Sequence, residues 1–122
     1  MNQYTREEIV EALGVISSTI SQCEKMQLKF AKGTSHHTLL KNRIKAMYIS
    51  KALLTDESVT NQYTKEELIE ALRPVSSIIS KCEKAQLKAA TGTSHHTRLK
   101  KIIKAMSISK TLITDEISKR DG

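Results

Sequence analysis

Along the first quarter of the chain, hydrophobic side chains fall four and three residues apart: Ile9, Leu13, Ile16, Ile20, Cys23 and, past the polar Gln27, Phe30. That spacing lays one apolar seam along a helix, whereas in a strand alternate residues would share a face. Thr5 with Glu8 three residues later has the form of a capping box at the helix start. Glu7, Glu8 and Glu11 put negative charge at the positive end of the helix dipole, and Lys25, Lys29 and Lys32 put positive charge near the other end. Gly33 is predicted to be the left-handed residue that stops this helix.

After the glycine, Thr34 or Ser35 can cap a second helix. Its apolar stripe runs through His37, Leu40, Ile44, Met47 and Leu54, with Ala46, Ile49 and Leu53 on an adjoining stripe. Two adjoining stripes mean neighbours on two sides, the requirement of a four-helix arrangement. A short turn makes the pair an antiparallel hairpin, and the second helix is predicted to end near Leu54.

The whole pattern then returns. Residues 2–57 reappear as residues 61–116 at an offset of 59, with 39 of 56 aligned positions identical. Thr64 and Glu67 repeat the capping box, Gly92 repeats the stop, and Leu68, Leu72, Val75, Ile79, Cys82, Gln86 and Ala89 repeat the seam. Two copies of a hairpin predict an all-α, pseudo-two-fold four-helix bundle in one domain spanning residues 1–122. One mismatch needs resolving. The first helix as framed would run about 27 residues, roughly 40 Å, against about 19 residues and roughly 28 Å for the second. A kink or break near Gly14 and Pro74, which occupy adjacent equivalent positions, would remove the discrepancy, because proline inside a helix costs about 3 kcal/mol.

Composition narrows the class. With 122 residues the copies can share a core that neither, at about half that length, could build well alone. Aromatic residues are 3% of the chain, so the core must be aliphatic. The longest apolar run, Ala12 to Ile16, is far below the roughly 20 residues of a membrane span. The N-terminus lacks the form of a signal peptide, which leads to an expectation of a cytoplasmic protein with no membrane partner. Cys23 and Cys82 are equivalent positions on the seam and are expected to act as small reduced hydrophobes.

The formal charge of +7 points toward polyanions. Candidate phosphate-binding residues gather near the hairpin turns: Lys25, Lys29, Lys32, Lys41, Arg43 and Lys45 in the first copy, and Lys84, Lys88, Arg98, Lys100, Lys101 and Lys104 in the second. The acids Glu7, Glu8, Glu11, Asp56 and Glu57 are expected at the opposite, open end. Stacking aromatics are scarce in the basic stretches, so a nucleic-acid partner ranks below a protein partner or self-association.

His36, His37, His95 and His96 invite a metal, yet adjacent histidines point about 100° apart on a helix and neither copy closes a site alone. No metal or other cofactor is expected. No acid sits beside a Ser–His pair and no glycine-rich loop precedes a helix, so the expectation is a non-enzymatic interaction or scaffold module.

Differences between the copies carry a further hint. Met26, Phe30 and Tyr48 become Ala85, Ala89 and Ser107. Large opposite small predicts asymmetric packing in a common core, or else an apolar groove beside Ala85, Ala89 and Ser107. Gln27 and Gln86 interrupt the seam at the same place, and a pair across the axis would fix register. Ile49 with Leu53, and Ile108 with Leu112, are candidate docking faces if the core does not use them.

Overall fold

The computed structural model describes residues 3–55 and 62–121. Among them the chain forms four helices and no strand: α1 (Arg6–Gln27), α2 (Ser35–Leu54), α3 (Lys65–Lys88) and α4 (Ser94–Asp121). None is long and apolar enough to cross a membrane.

The start signals act as the sequence implies. Thr5 and Thr64 accept from the backbone N–H of Glu8 and Glu67 at 3.1 Å, while those glutamates accept from the threonine N–H at 2.8 Å. Thr34 and Thr93 cap α2 and α4 by accepting from the N–H of His37 and His96 at 3.2 Å. Each cap satisfies donors that the first helical turn would otherwise leave without partners.

The stop signals differ from expectation. α1 leaves helical geometry after Gln27 through tighter turns, with the N–H groups of Lys29 and Phe30 bonding back three residues to Met26 and Gln27. Gly33 and Gly92 do adopt left-handed φ of 88° and 89°, but each sits in the connection directly before the capping threonine of the next helix. Ending early gives α1 22 residues and α3 24, close to the 20 of α2. The length mismatch is resolved there and not by a break: α1 runs uninterrupted past Gly14 and α3 past Pro74.

α1 packs on α2 and α3 on α4, and the hairpins join through α2 with α3 and α1 with α4. α2 also reaches α4 through the middle of the bundle, whereas no Cα of α1 lies within 8 Å of one in α3. Ala46 and Ser50 on α2, and Ala105 and Ser109 on α4, are buried small residues one turn apart. Small buried side chains let neighbouring helices pack closely.

One continuous apolar cluster draws on all four helices, led by Ile16, Met47, Ile49, Leu68, Val75, Met106 and Ile113. It consumes the proposed docking faces: Ile49 and Ile108 are buried, and Leu53 and Leu112 pack against the cluster. The Gln27–Gln86 pair does not form. Gln27 instead donates to the carbonyl of His37 in its own hairpin at 3.4 Å, since α1 and α3 occupy opposite corners. Cys23 and Cys82, on those same corners, are too far apart for a disulfide, which requires Cα atoms within about 7 Å.

The lengthwise separation of charge is bridged between hairpins. Lys45 on α2 pairs with Glu67 on α3 at 2.5 Å, and Lys104 on α4 with Glu8 on α1 at 3.0 Å, so first-turn acids of one hairpin meet mid-helix bases of the other. Asp56 and Glu57 lie outside the described residues. At its far end α4 braces the start of α3: Arg120 donates to the Tyr63 carbonyl and Lys65 pairs with Asp121.

Glu8 and Glu67 are held below the ordinary carboxylate range, Glu8 chiefly by the Thr5 N–H and then by Lys104, Glu67 chiefly by Lys45 and then by the Thr64 N–H. A carboxyl depressed in the folded state contributes stability above its unfolded pKa and loses it as pH falls through its folded pKa. The joint change Glu8→Gln, Glu67→Gln should therefore flatten the loss of stability below about pH 5, measured by chemical denaturation across an acid series. An unaltered acid limb would show that these two glutamates contribute nothing to it.

Candidate functional site

Two helices of different hairpins, α2 and α3, leave a groove of about 580 Å³ between them. Ala46, Ile49 and Ala71 line it with buried apolar surface, while Leu39 and Ile69 stand 43% and 48% exposed. Lys45 and Glu67 span it, with Glu70, Arg73 and Asn42 adding polar groups. Pro74 also lines it, one turn after Glu70. Proline has no N–H to give the Glu70 carbonyl, so α3 lacks one ladder bond beside the groove.

At the equivalent positions on α4 and α1 the chemistry changes. Arg98 replaces Leu39, Lys101 replaces Asn42, Gly14 replaces Arg73 and Val15 replaces Pro74. Lys101 there reaches Glu11 at 4.0 Å, alongside the Lys104–Glu8 pair. One ion pair, Lys45–Glu67, thus crosses the α2–α3 face, where Leu39 is exposed, and two cross the α4–α1 face, where Arg98 takes its place.

The copy differences singled out from sequence lie elsewhere. Met26 and Tyr48 are 47% and 42% exposed, so they do not fill a common core. Phe30 falls beyond the end of α1 and stacks on His36 with ring centroids 4.9 Å apart. The Tyr48 hydroxyl donates to Glu24 at 3.3 Å, and the nearby carboxylate raises the phenol's pKa. Asymmetric core packing is therefore incorrect: the seam ends before Phe30, and Met26 and Tyr48 project outward beside it. In the second copy Ala85 and Ala89 are half-buried and Ser107 is exposed.

The basic candidates separate into three groups. Lys45, Lys101 and Lys104 are engaged by carboxylates. Lys25, Lys29, Lys32, Lys41, Lys84, Lys88, Arg98 and Lys100 are exposed and form no ion pair with a described residue. Arg43 turns inward. Its Nε and Nη2, one edge of the guanidinium fork, are buried with no hydrogen-bond partner among the described residues. Its charge acts on both thiols, favouring their ionised form, but burial dominates and holds Cys23 and Cys82 above the ordinary thiol pKa. His37 and His96 are half-buried and His36 and His95 exposed. Among the described residues no three His, Cys, Asp or Glu side chains gather as a metal site.

The groove as a site was missed from sequence, although Lys45 and Ile49 were candidates on other grounds and a further signal existed. Where two near-identical copies place Leu against Arg, as at Leu39 and Arg98, the position faces different surroundings in each. Arg43 carries the same signal, since its equivalent is Ile102. Arg43→Ile should raise stability by about 1–3 kcal/mol in urea denaturation, because the buried edge of a half-buried guanidinium, with no hydrogen-bond partner among the described residues, is replaced by hydrocarbon. A drop in stability would show that the guanidinium has a favourable role in the interior.

No protein-family model, curated protein or solved structure matches the chain, so the chemistry of the groove and of Arg43 rests on its own residues.

Proposed function

We propose that the chain is a non-enzymatic helical interaction module, built as two tandem hairpins about an approximate two-fold axis, and that the α2–α3 groove receives apolar anchor side chains of a partner helix. The duplication or fusion of a homodimeric hairpin accounts for the repeat. The observation that carries the functional reading is the asymmetry between equivalent faces: Leu39 and Asn42 border the apolar floor of the α2–α3 groove where the other face has Arg98 and Lys101, while Ile69 and its equivalent Val10 are exposed on both. A groove between helices with an apolar floor and rim charges of both signs suits an amphipathic helix. Pro74 leaves the Glu70 carbonyl without its helical donor on the wall of the groove, an acceptor that a polar group of a partner could use.

In quantitative affinity capture from cells, a partner held by the wild type should disappear on Leu39→Arg, which installs the residue of the second copy at a half-exposed position. Identical capture by the two proteins, with folding verified by circular dichroism, would dismiss the groove.

A second reading has its own support in the eight exposed bases without carboxylate partners among the described residues. In that reading they bind phosphate backbones, which predicts affinity for DNA or RNA falling steeply with salt. Joint Lys25→Ala, Lys29→Ala, Lys84→Ala and Lys88→Ala should then lower the salt slope by roughly 0.7–0.9 for each phosphate that is no longer neutralised. Fluorescence anisotropy with labelled oligonucleotides across a salt series decides it, and absence of binding at moderate salt removes the nucleic-acid reading.

A further inference from the structure

The ion pairs Glu8–Lys104 and Glu67–Lys45 are one interaction made twice. Moving 59 residues along the chain turns Glu8 into Glu67 and Lys45 into Lys104, so each copy donates its N3 glutamate and receives the other's through its mid-helix lysine. The buried layer between them repeats in the same way: Ala12 and Ala71, Ile16 and Val75, Ala46 and Ala105, Met47 and Met106, and Ile49 and Ile108 are buried in both copies. Residue i meeting j while the equivalent of j meets the equivalent of i is the property of a self-complementary interface.

We infer that this interface accepts a second copy of the chain: each hairpin can pair with its unlike sibling in the same polypeptide or with the like hairpin of another. The first copy holds both Glu8 and Lys45, and the second holds both Glu67 and Lys104. Two first hairpins brought together therefore form the Glu8–Lys45 pair twice, and two second hairpins form Glu67–Lys104 twice. The aliphatic positions that accompany these pairs are identical or close in size, so like pairing sacrifices little packing. What favours the closed single chain is the millimolar effective concentration of tethered hairpins. The inference rests on reading the bundle as two interlocking hairpins, and it is independent of what occupies the α2–α3 groove.

The test uses the full chain. Glu8→Lys with Lys45→Glu makes both ion pairs repulsive within one polypeptide, while like hairpins of two polypeptides retain attractive ones. At equal micromolar concentration this variant should show a dimerisation constant at least about tenfold above wild type by light scattering and sedimentation, since four surface pairs change sign per dimer. Adding Glu67→Lys with Lys104→Glu restores attraction inside the chain and should return the mass distribution to that of wild type, although it carries more substitutions. A second pair of proteins guards against misfolding. Glu8→Lys, Glu67→Lys and, separately, Lys45→Glu, Lys104→Glu are each repulsive in every pairing with themselves, and should form a heterodimer with recovered helicity when mixed. The inference is overturned if the first variant keeps the wild-type mass, if the four-residue variant dimerises as strongly as the first, or if mixing alters neither mass nor helicity. Failure of the Leu39→Arg capture experiment would leave these results untouched, because Leu39 belongs to none of the pairs.

Discussion

Burial of a single aliphatic layer between two hairpins is the constraint from which the other features follow. A hairpin of fewer than 60 residues buries too small a fraction of its surface to offset the entropy of ordering it. The cluster running from Ile16 through Met47 and Val75 to Ile113 exists only because both hairpins contribute to it. With almost no aromatic side chains, the layer is made from Ile, Leu, Val, Met and Ala, whose fit depends on how closely the helices approach. α2 and α4 come near one another, and α1 and α3 occupy opposite corners.

Hydrocarbon burial has little directional preference, so polar interactions must select the arrangement. First-turn glutamates do two things at once: they complete the capping boxes of their own helices and reach lysines of the opposite hairpin. The same carboxylate therefore couples the start of a helix to the docking of its neighbour. Surface pairs of this kind add little energy singly. Their value here lies in where they sit, astride the joint between the copies.

Much of this was legible in the chain. The four helices, the capping boxes and the wide apolar arc of α2 ending at Leu54 all follow from local spacing. The end of α1 did not, because the seam spacing continues through Gln27 to Phe30 after the backbone has left the helix, and a left-handed glycine serves a connection as well as a helix end. The groove and the inward Arg43 were hidden for another reason. Local patterns report which face of a helix is buried, not which neighbour buries it, so Leu39 and Arg43 read as ordinary surface and basic residues until the second hairpin is placed beside them. Comparison of the copies at these positions, Arg43 against Ile102 above all, held the missing information. Met26, Phe30 and Tyr48 drew notice by size, yet none of them enters the common core.

Ser50 on α2 and Ser109 on α4 lie fully enclosed, and each hydroxyl donates to a carbonyl four residues back in its own helix, Ala46 at 2.9 Å and Ala105 at 3.0 Å. With their polar demand met inside the helix that bears them, these serines ask nothing of the opposing backbone. Each of these enclosed positions thus selects by volume alone: a methyl or thiol can take the place of the hydroxyl at little consequence, while a branched or longer side chain would overpack the interior around it.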